Sequence, residues 1–199
     1  MRVIPFVVVA GLTCALAGCG GDGGSSGAAT TPAAAPAGLR TAQNRYLSVA
    51  LPASWRTEVS TPAGRQTTLE ARSPTGSAGI ASAILVGVTP GTDDGVEDLA
   101  TLNVQSKKLR FPGVVIEEPR EVDVEGADGA RRIDASVQVK ANPDGTAQIV
   151  RPGTTGALEL RLVDVLARST SGNSVDLAFQ LAPGSDVDVD AIVKTLRLR

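Results

Sequence analysis

The stretch Ala130–Lys140, "ARRIDASVQVK", places Ile133, Ala135, Val137 and Val139 in strict alternation with Arg132, Asp134, Ser136, Gln138 and Lys140. Only an extended strand puts every second side chain on one face, so this segment belongs to a sheet with one face covered and the other polar. Sheets of that kind are built mostly from antiparallel neighbours. Other segments repeat the pattern. Leu47, Val49 and Leu51 alternate with Tyr46, Ser48 and Ala50, and Val175, Leu177, Phe179 and Leu181 follow the turn "STSGNS". Gln66–Arg72 and Ala78–Thr89 read as further strands, the second apolar enough to lie centrally. In "LELRLVDVLA" the apolar phase switches from Leu158, Leu160 and Leu162 to Val163, Val165 and Ala167. A bulge or burial on both faces accounts for such a switch.

Two helices interrupt the strands. "DDGVEDLATLNVQSKKLRFPG" carries Asp93 and Asp94 as candidate caps, Glu97 and Asp98 at the positive end, and Lys107, Lys108 and Arg110 at the negative end. Pro112-Gly113 stops it, and Val96, Leu99, Leu102 and Leu109 form its expected buried stripe. Pro183 to Leu196 reads as a closing helix with Ile192, Val193 and Leu196 inward. Strands in hairpin-like succession with a mid-chain and a C-terminal helix define an α+β domain on an antiparallel sheet.

The N-terminal part has a different character. Met1-Arg2 precedes an apolar run, Val3 to Ala15, of about 13 residues, too short for a bilayer span of roughly 20. Its length and flanks suit a signal-peptide core. Leu16-Ala17-Gly18-Cys19 resembles the lipobox of bacterial lipoproteins, in which cleavage precedes the cysteine and its sulfur carries diacylglycerol. The expected organisation is a signal peptide over 1–18, a tether over 19–44 and a folded domain over 45–199. Two acyl chains anchor stably where one does not. The Gly/Ser/Ala/Pro-rich segment after Cys19 offers too little apolar surface to offset ordering entropy. The location expected is the outer face of the cytoplasmic membrane.

Composition narrows the function. Arg2 is the only charged residue of 1–18, so the 19 basic residues fall to 18 against 21 acidic, a net charge of −3. No basic face calls for nucleic acid. The chain has no histidine, which removes Ser-His-Asp and Cys-His catalysis and the commonest metal ligand. The lipobox resemblance implies that Cys14 leaves with the signal peptide and that Cys19 is acylated, so neither a disulfide nor a thiol nucleophile is expected in the mature chain. From Asn44 onward there is no G-x-S-x-G, S-x-x-K or P-loop. Glu117 and Glu118 are neighbours that point to opposite faces of a strand and cannot converge on one bond. Asp186, Asp188 and Asp190 open like a calcium loop, but Ala191 stands where glycine is needed and Arg197 where the bidentate glutamate belongs. They read better as caps of the last helix. No cofactor is expected. The connection 141–157, "ANPDGTAQIVRPGTTG" at its heart, is long enough to be a mobile insertion or a functional loop. Trp55 reads first as a core or turn anchor; it and Phe111 are the candidates for a ligand or partner surface.

"YLSVALPASW", with Pro52 and Trp55, and the ending "DVLARSTSGNSVDLAFQLAPGSDVDVDAIVKTLRLR" resemble the PsbP-like lipoproteins, in particular the Lpq-type lipoproteins of actinobacteria. The Arg-over-Lys, Ala- and Gly-rich usage agrees with a GC-rich genome. The resemblance implies an α/β/α sandwich and a binding or accessory role, in some relatives linked to assembly of an outer lipid layer. It carries over no catalytic residue. The function expected is that of a membrane-anchored envelope lipoprotein, not an enzyme, whose partner is an envelope protein or an amphiphilic ligand. The alternatives are a carboxylate- or Ser/Lys-dependent envelope hydrolase and a passive structural lipoprotein.

Overall fold

The computed structural model describes residues 35–60, 67–76 and 78–199. The signal peptide, Cys19 and the first part of the tether lie outside the described residues. The chain runs β1 (Leu39–Gln43), β2 (Leu47–Pro52), β3 (Arg56–Ser60), β4 (Thr67–Thr75), β5 (Ala81–Thr89), α1 (Val96–Arg110), β6 (Val115–Ile116), β7 (Arg120–Glu121), β8 (Ala127–Ala141), β9 (Ala147–Ile149), β10 (Leu158–Ser169), β11 (Ser174–Leu181), α2 (Val189–Val193) and β12 (Arg197–Leu198). It is an α+β fold dominated by antiparallel sheet, as the alternation requires.

The larger sheet has the order β3-β4-β5-β11-β10-β8-β6, with β7 and β9 also paired to β8. A smaller sheet, β1-β2-β12, lies with α2 over one face. There Leu47, Val49 and Leu51 of β2, Ile192 and Val193 of α2, and Leu196 meet Ile84, Val86, Val163, Val165, Leu177 and Phe179. The opposite face of the large sheet carries α1 and a second core of Ile80, Ala135, Val137, Val139, Leu160 and Leu162.

The phase switch in β10 now has its cause. The β10–β8 register runs unbroken from Leu158↔Val139 to Arg168↔Gly129, so no bulge lies at the switch. Both faces of β10 are buried: Leu160 and Leu162 on the α1 side, Val163, Val165 and Ala167 on the other. What breaks the α1-side run is Asp164, which is itself buried.

Several expectations need correction. The folded region begins before residue 45, because Leu39–Gln43 forms β1, paired with β2 from Leu39↔Pro52 to Gln43↔Ser48. Arg40 fastens this edge by donating to the Trp55 carbonyl oxygen and the Thr57 hydroxyl, 2.8 Å each. The 141–157 connection is not structureless, since β9 folds back on β8 with Val139↔Ile149 and Ala141↔Ala147. The closing helix is shorter than Pro183–Leu196 and is followed by β12, although Ile192, Val193 and Leu196 are buried as expected. Its start is capped by Asp188, whose Oδ1 accepts from Ala191 N at 2.9 Å. Asp188→Ala should therefore lower stability by about 1 kcal/mol. A shifted urea midpoint at unchanged slope is the measurement; no shift would show that the cap contributes nothing.

The stripe of α1 also differs from expectation. Leu102 and Leu109 are 55 % and 86 % exposed, whereas Ala100 and Lys107 are buried. At about 100° per residue, Ala100, Asn103, Val104 and Lys107 share one face, and Leu102 and Leu109 lie opposite. Ala100 allows close approach to Ile133 and Leu166. The helix docks through Ala100, Asn103 and Lys107, with Leu99, as expected, and Val104 packed half-buried against the same cluster.

Candidate functional site

The last two turns of α1 overhang the sheet and cover a half-open cavity of about 370 Å³. Its roof is Asn103, Ser106, Lys107, Arg110 and the following Phe111; its floor is Leu162 and Asp164 of β10, Asp176 and Ala178 of β11, and Leu85 and Gly87 of β5. Small residues make the room. Gly87 stands directly across from Asp176 in the β5–β11 register, so no side chain fills the space beside that carboxylate.

The polar groups divide into two sets. Lys107 Nζ lies 2.6 Å from Asp164 Oδ2, with side chains only 9 % and 7 % exposed. Asn103 Nδ2 donates to Asp164 Oδ1 at 3.2 Å. Asp164 is thus held by two donors from consecutive turns of one helix, at positions i and i+4. The second set is unsatisfied. Asp176 Oδ1 and Asn103 Oδ1 are shielded from solvent and have no hydrogen-bond partner among the described residues. Burial, reinforced by the neighbouring Asp164 charge and opposed by Lys107, pushes the Asp176 carboxyl up to about 7. Such orphaned acceptors are uncommon in folded proteins and each leaves a desolvation cost uncompensated. Arg110 lies over the Phe111 ring at 5.6 Å and makes no ion pair among the described residues.

The sequence candidates fare unequally. Phe111 is at the cavity rim and packs on the second core. Trp55 is 8 % exposed and packs in the first core, beneath the other face of the sheet. It is a core anchor, not a ligand platform, and the two aromatics form no common surface. Glu117 and Glu118 are exposed. Asp190 reaches the buried Arg132. Cys19 lies outside the described residues. Lys107, a helix-end charge by sequence, is the buried partner of Asp164. Asp164 and Asp176 are not among the sequence candidates. Their signal was present: each is a charged residue on the α1-facing phase of a strand otherwise apolar enough to be central.

No protein-family model matches the chain, and no curated protein matches it in sequence. Among solved structures, a Pseudomonas aeruginosa protein of unknown function described as a putative regulator is similar at a TM-score of 0.43 and 12 % identity, over 73 % of this chain and 83 % of that one.

Proposed function

We propose that this chain is a lipid-anchored envelope protein, held through Cys19 on the outer face of the cytoplasmic membrane, whose domain binds a small ligand in the cavity beneath α1. The observation that carries the binding reading is the pair of shielded, partnerless oxygens on Asp176 and Asn103 at a cavity of about 370 Å³. A cavity of that size is within the range of small-molecule sites. An unpaired buried acceptor is a cost that a bound donor removes. The anchor is supported by the charged start, the short apolar run and the Leu16-Ala17-Gly18-Cys19 seam. Among the described residues no helix is long and apolar enough to cross a membrane. The PsbP-like sandwich, supported by the sheet with helices on its two sides, and an accessory role in envelope lipid assembly, implied by the family resemblance alone, remain part of this proposal. The charged lining favours a polar ligand or lipid headgroup over an acyl chain.

Expression with labelled palmitate tests the anchor. The native chain should carry label and sediment with membranes, and Cys19→Ser should lose both. An unlabelled, freely released native chain would overturn it.

One observation favours a second reading. Asp164 and Asp176 with Lys107 are the convergence of carboxylates and a cation that a hydrolase without histidine needs. Against it, Asp164 is committed to Lys107 and Asn103. Ser106 and Lys107 are adjacent on the helix and do not face each other, so they make no serine–lysine pair. Hydrolysis of a small ester or glycoside that Asp176→Asn abolishes would replace binding with catalysis.

A further inference from the structure

We infer that the cavity beneath α1 binds a small zwitterion, an amino acid or short peptide, with its ammonium on Asp176 and Asn103 and its carboxylate on Arg110. This rests on the proposed binding role and specifies its ligand.

The argument starts from what each lining group lacks. Asn103 is oriented by its own amide, which donates to Asp164, so the oxygen left over is the acceptor. Asp176 presents a second acceptor with no donor. Two acceptors with nothing to accept call for a group with several N–H bonds, and a primary ammonium has three. A second protein cation does not fill this role, because Lys107 is held at 2.6 Å by Asp164. At the rim the exposed Arg110 offers the opposite charge. It is a planar donor without an ion-pair partner among the described residues, laid on Phe111, and guanidinium groups recognise carboxylates in a bidentate way. With Asp176 ionised, the lining holds Lys107 and Arg110 against Asp164 and Asp176, a net charge of zero in which the two groups outside the Lys107–Asp164 pair, the shielded Asp176 and the exposed Arg110 at the rim, are of opposite sign. A ligand with separated positive and negative ends matches that pattern; a simple anion or cation meets half of it. Gly87 and Ala178 leave the space beside Asp176, and Leu85 with Phe111 supplies an apolar wall for a short side chain.

Calorimetric titration of the full-length chain in detergent tests this with alanine, glutamine and dialanine, their N-acetyl forms, and putrescine. The free zwitterions should bind. Blocking the ammonium by acetylation should weaken binding at least about tenfold, as should Asp176→Asn, the loss of a charge-assisted hydrogen bond. Arg110→Met should weaken the zwitterions and leave putrescine unchanged. Asp176→Asn removes the charge of a half-buried carboxylate and keeps the shape, so the variant should fold; Glu118→Gln, exposed and outside the cavity lining, should bind as the native chain does. N-acetyl forms binding as tightly as free ones, or Asp176→Asn with unaltered affinity, would overturn the inference. Native mass spectra of the chain purified from its own envelope separate the two levels. An acyl lipid or a simple anion carried in the cavity would sink the zwitterion and leave a binding protein. No binding by any probe together with no carried ligand would sink both.

Discussion

Replacing Asp134 by Ala should destabilise the domain by about 3–5 kcal/mol, the cost of leaving a buried cation without its counter-charge. Arg132 grips Asp134 with both arms of its guanidinium, Nε to Oδ2 at 2.6 Å and Nη2 to Oδ1 at 2.9 Å. Arg161 donates to Oδ1 at 3.0 Å, and Arg120 Nη2 stands 3.5 Å from Oδ2. Arg132 and Asp134 are both buried on the face covered by the smaller sheet and α2, and Asp190 completes the guanidinium's contacts. Without Asp134, one rim carboxylate must serve a cation that water cannot reach. For a domain of this size the loss corresponds to a fall in Tm of roughly 6–20 °C. The double change Arg132→Met with Asp134→Leu should recover most of it, since a well-packed apolar pair replaces a buried ion pair at little cost. Paired thermal and urea unfolding decides the matter. A loss under about 1 kcal/mol, or a double variant no better than the single one, would show that the network is a surface feature.

Burial alone would raise the Asp134 pKa, but the hydrogen bonds from Arg132 and Arg161 outweigh it and hold the carboxyl below the usual range. The folded state therefore binds the proton more weakly than the unfolded chain. Asp134 contributes stability above the ordinary aspartate pKa of about 4, and that contribution is lost as pH falls through the folded value.

Asp176 bends the profile the other way, and Asp176→Asn should stabilise the empty domain at pH 8. Its folded pKa is raised, to about 7. Between about 4 and that value the folded state holds a proton that the unfolded chain has released, so stability declines as pH rises through the window. Each tenfold in proton affinity amounts to about 1.4 kcal/mol, which sets the full decline on the order of 4 kcal/mol. Asparagine keeps the shape and removes the charge. Denaturant titrations at pH 5 and pH 8 should therefore show the native chain losing stability between them and the variant holding nearly constant. A native chain as stable at pH 8 as at pH 5 would mean that Asp176 reaches solvent or a counter-charge, and the cavity would lose its unmet acceptor. Under the proposed binding role, a ligand that relieved this cost would follow the usual trade between function and stability.

The burial of Lys107 is set by tertiary structure, not by its local sequence. "SKKLR" at a helix end is explained by the helix dipole, and nothing local distinguishes Lys107 from Lys108. The distinction comes from 57 residues further on, where Asp164 supplies the counter-charge that allows Lys107 to be buried. Leu102 and Leu109 mislead for the same reason. Hydrophobicity along one helix ranks its faces, but the face that docks is the one complementary to the sheet, and this sheet offers Asp164 and close space for Ala100. Trp55 and Phe111 were distinguishable only by which side of the large sheet each reaches. β1 was hidden because "LRTAQ" has no pattern of its own and is a strand only through pairing with β2.

The alternation of apolar and polar residues by itself determined the strands, because a period of two fits no other element, and the end charges and stop signals of two segments determined the helices of the α+β domain. The lack of histidine, likewise a property of the sequence alone, leaves this chain no imidazole for catalysis or metal ligation. Which carboxylates are buried, which lysine answers them and which oxygens are left without a donor were decided by the tertiary structure. Those properties depend on burial and on partners brought together from α1, β5, β10 and β11, and burial is a relation between segments that no single stretch of sequence contains.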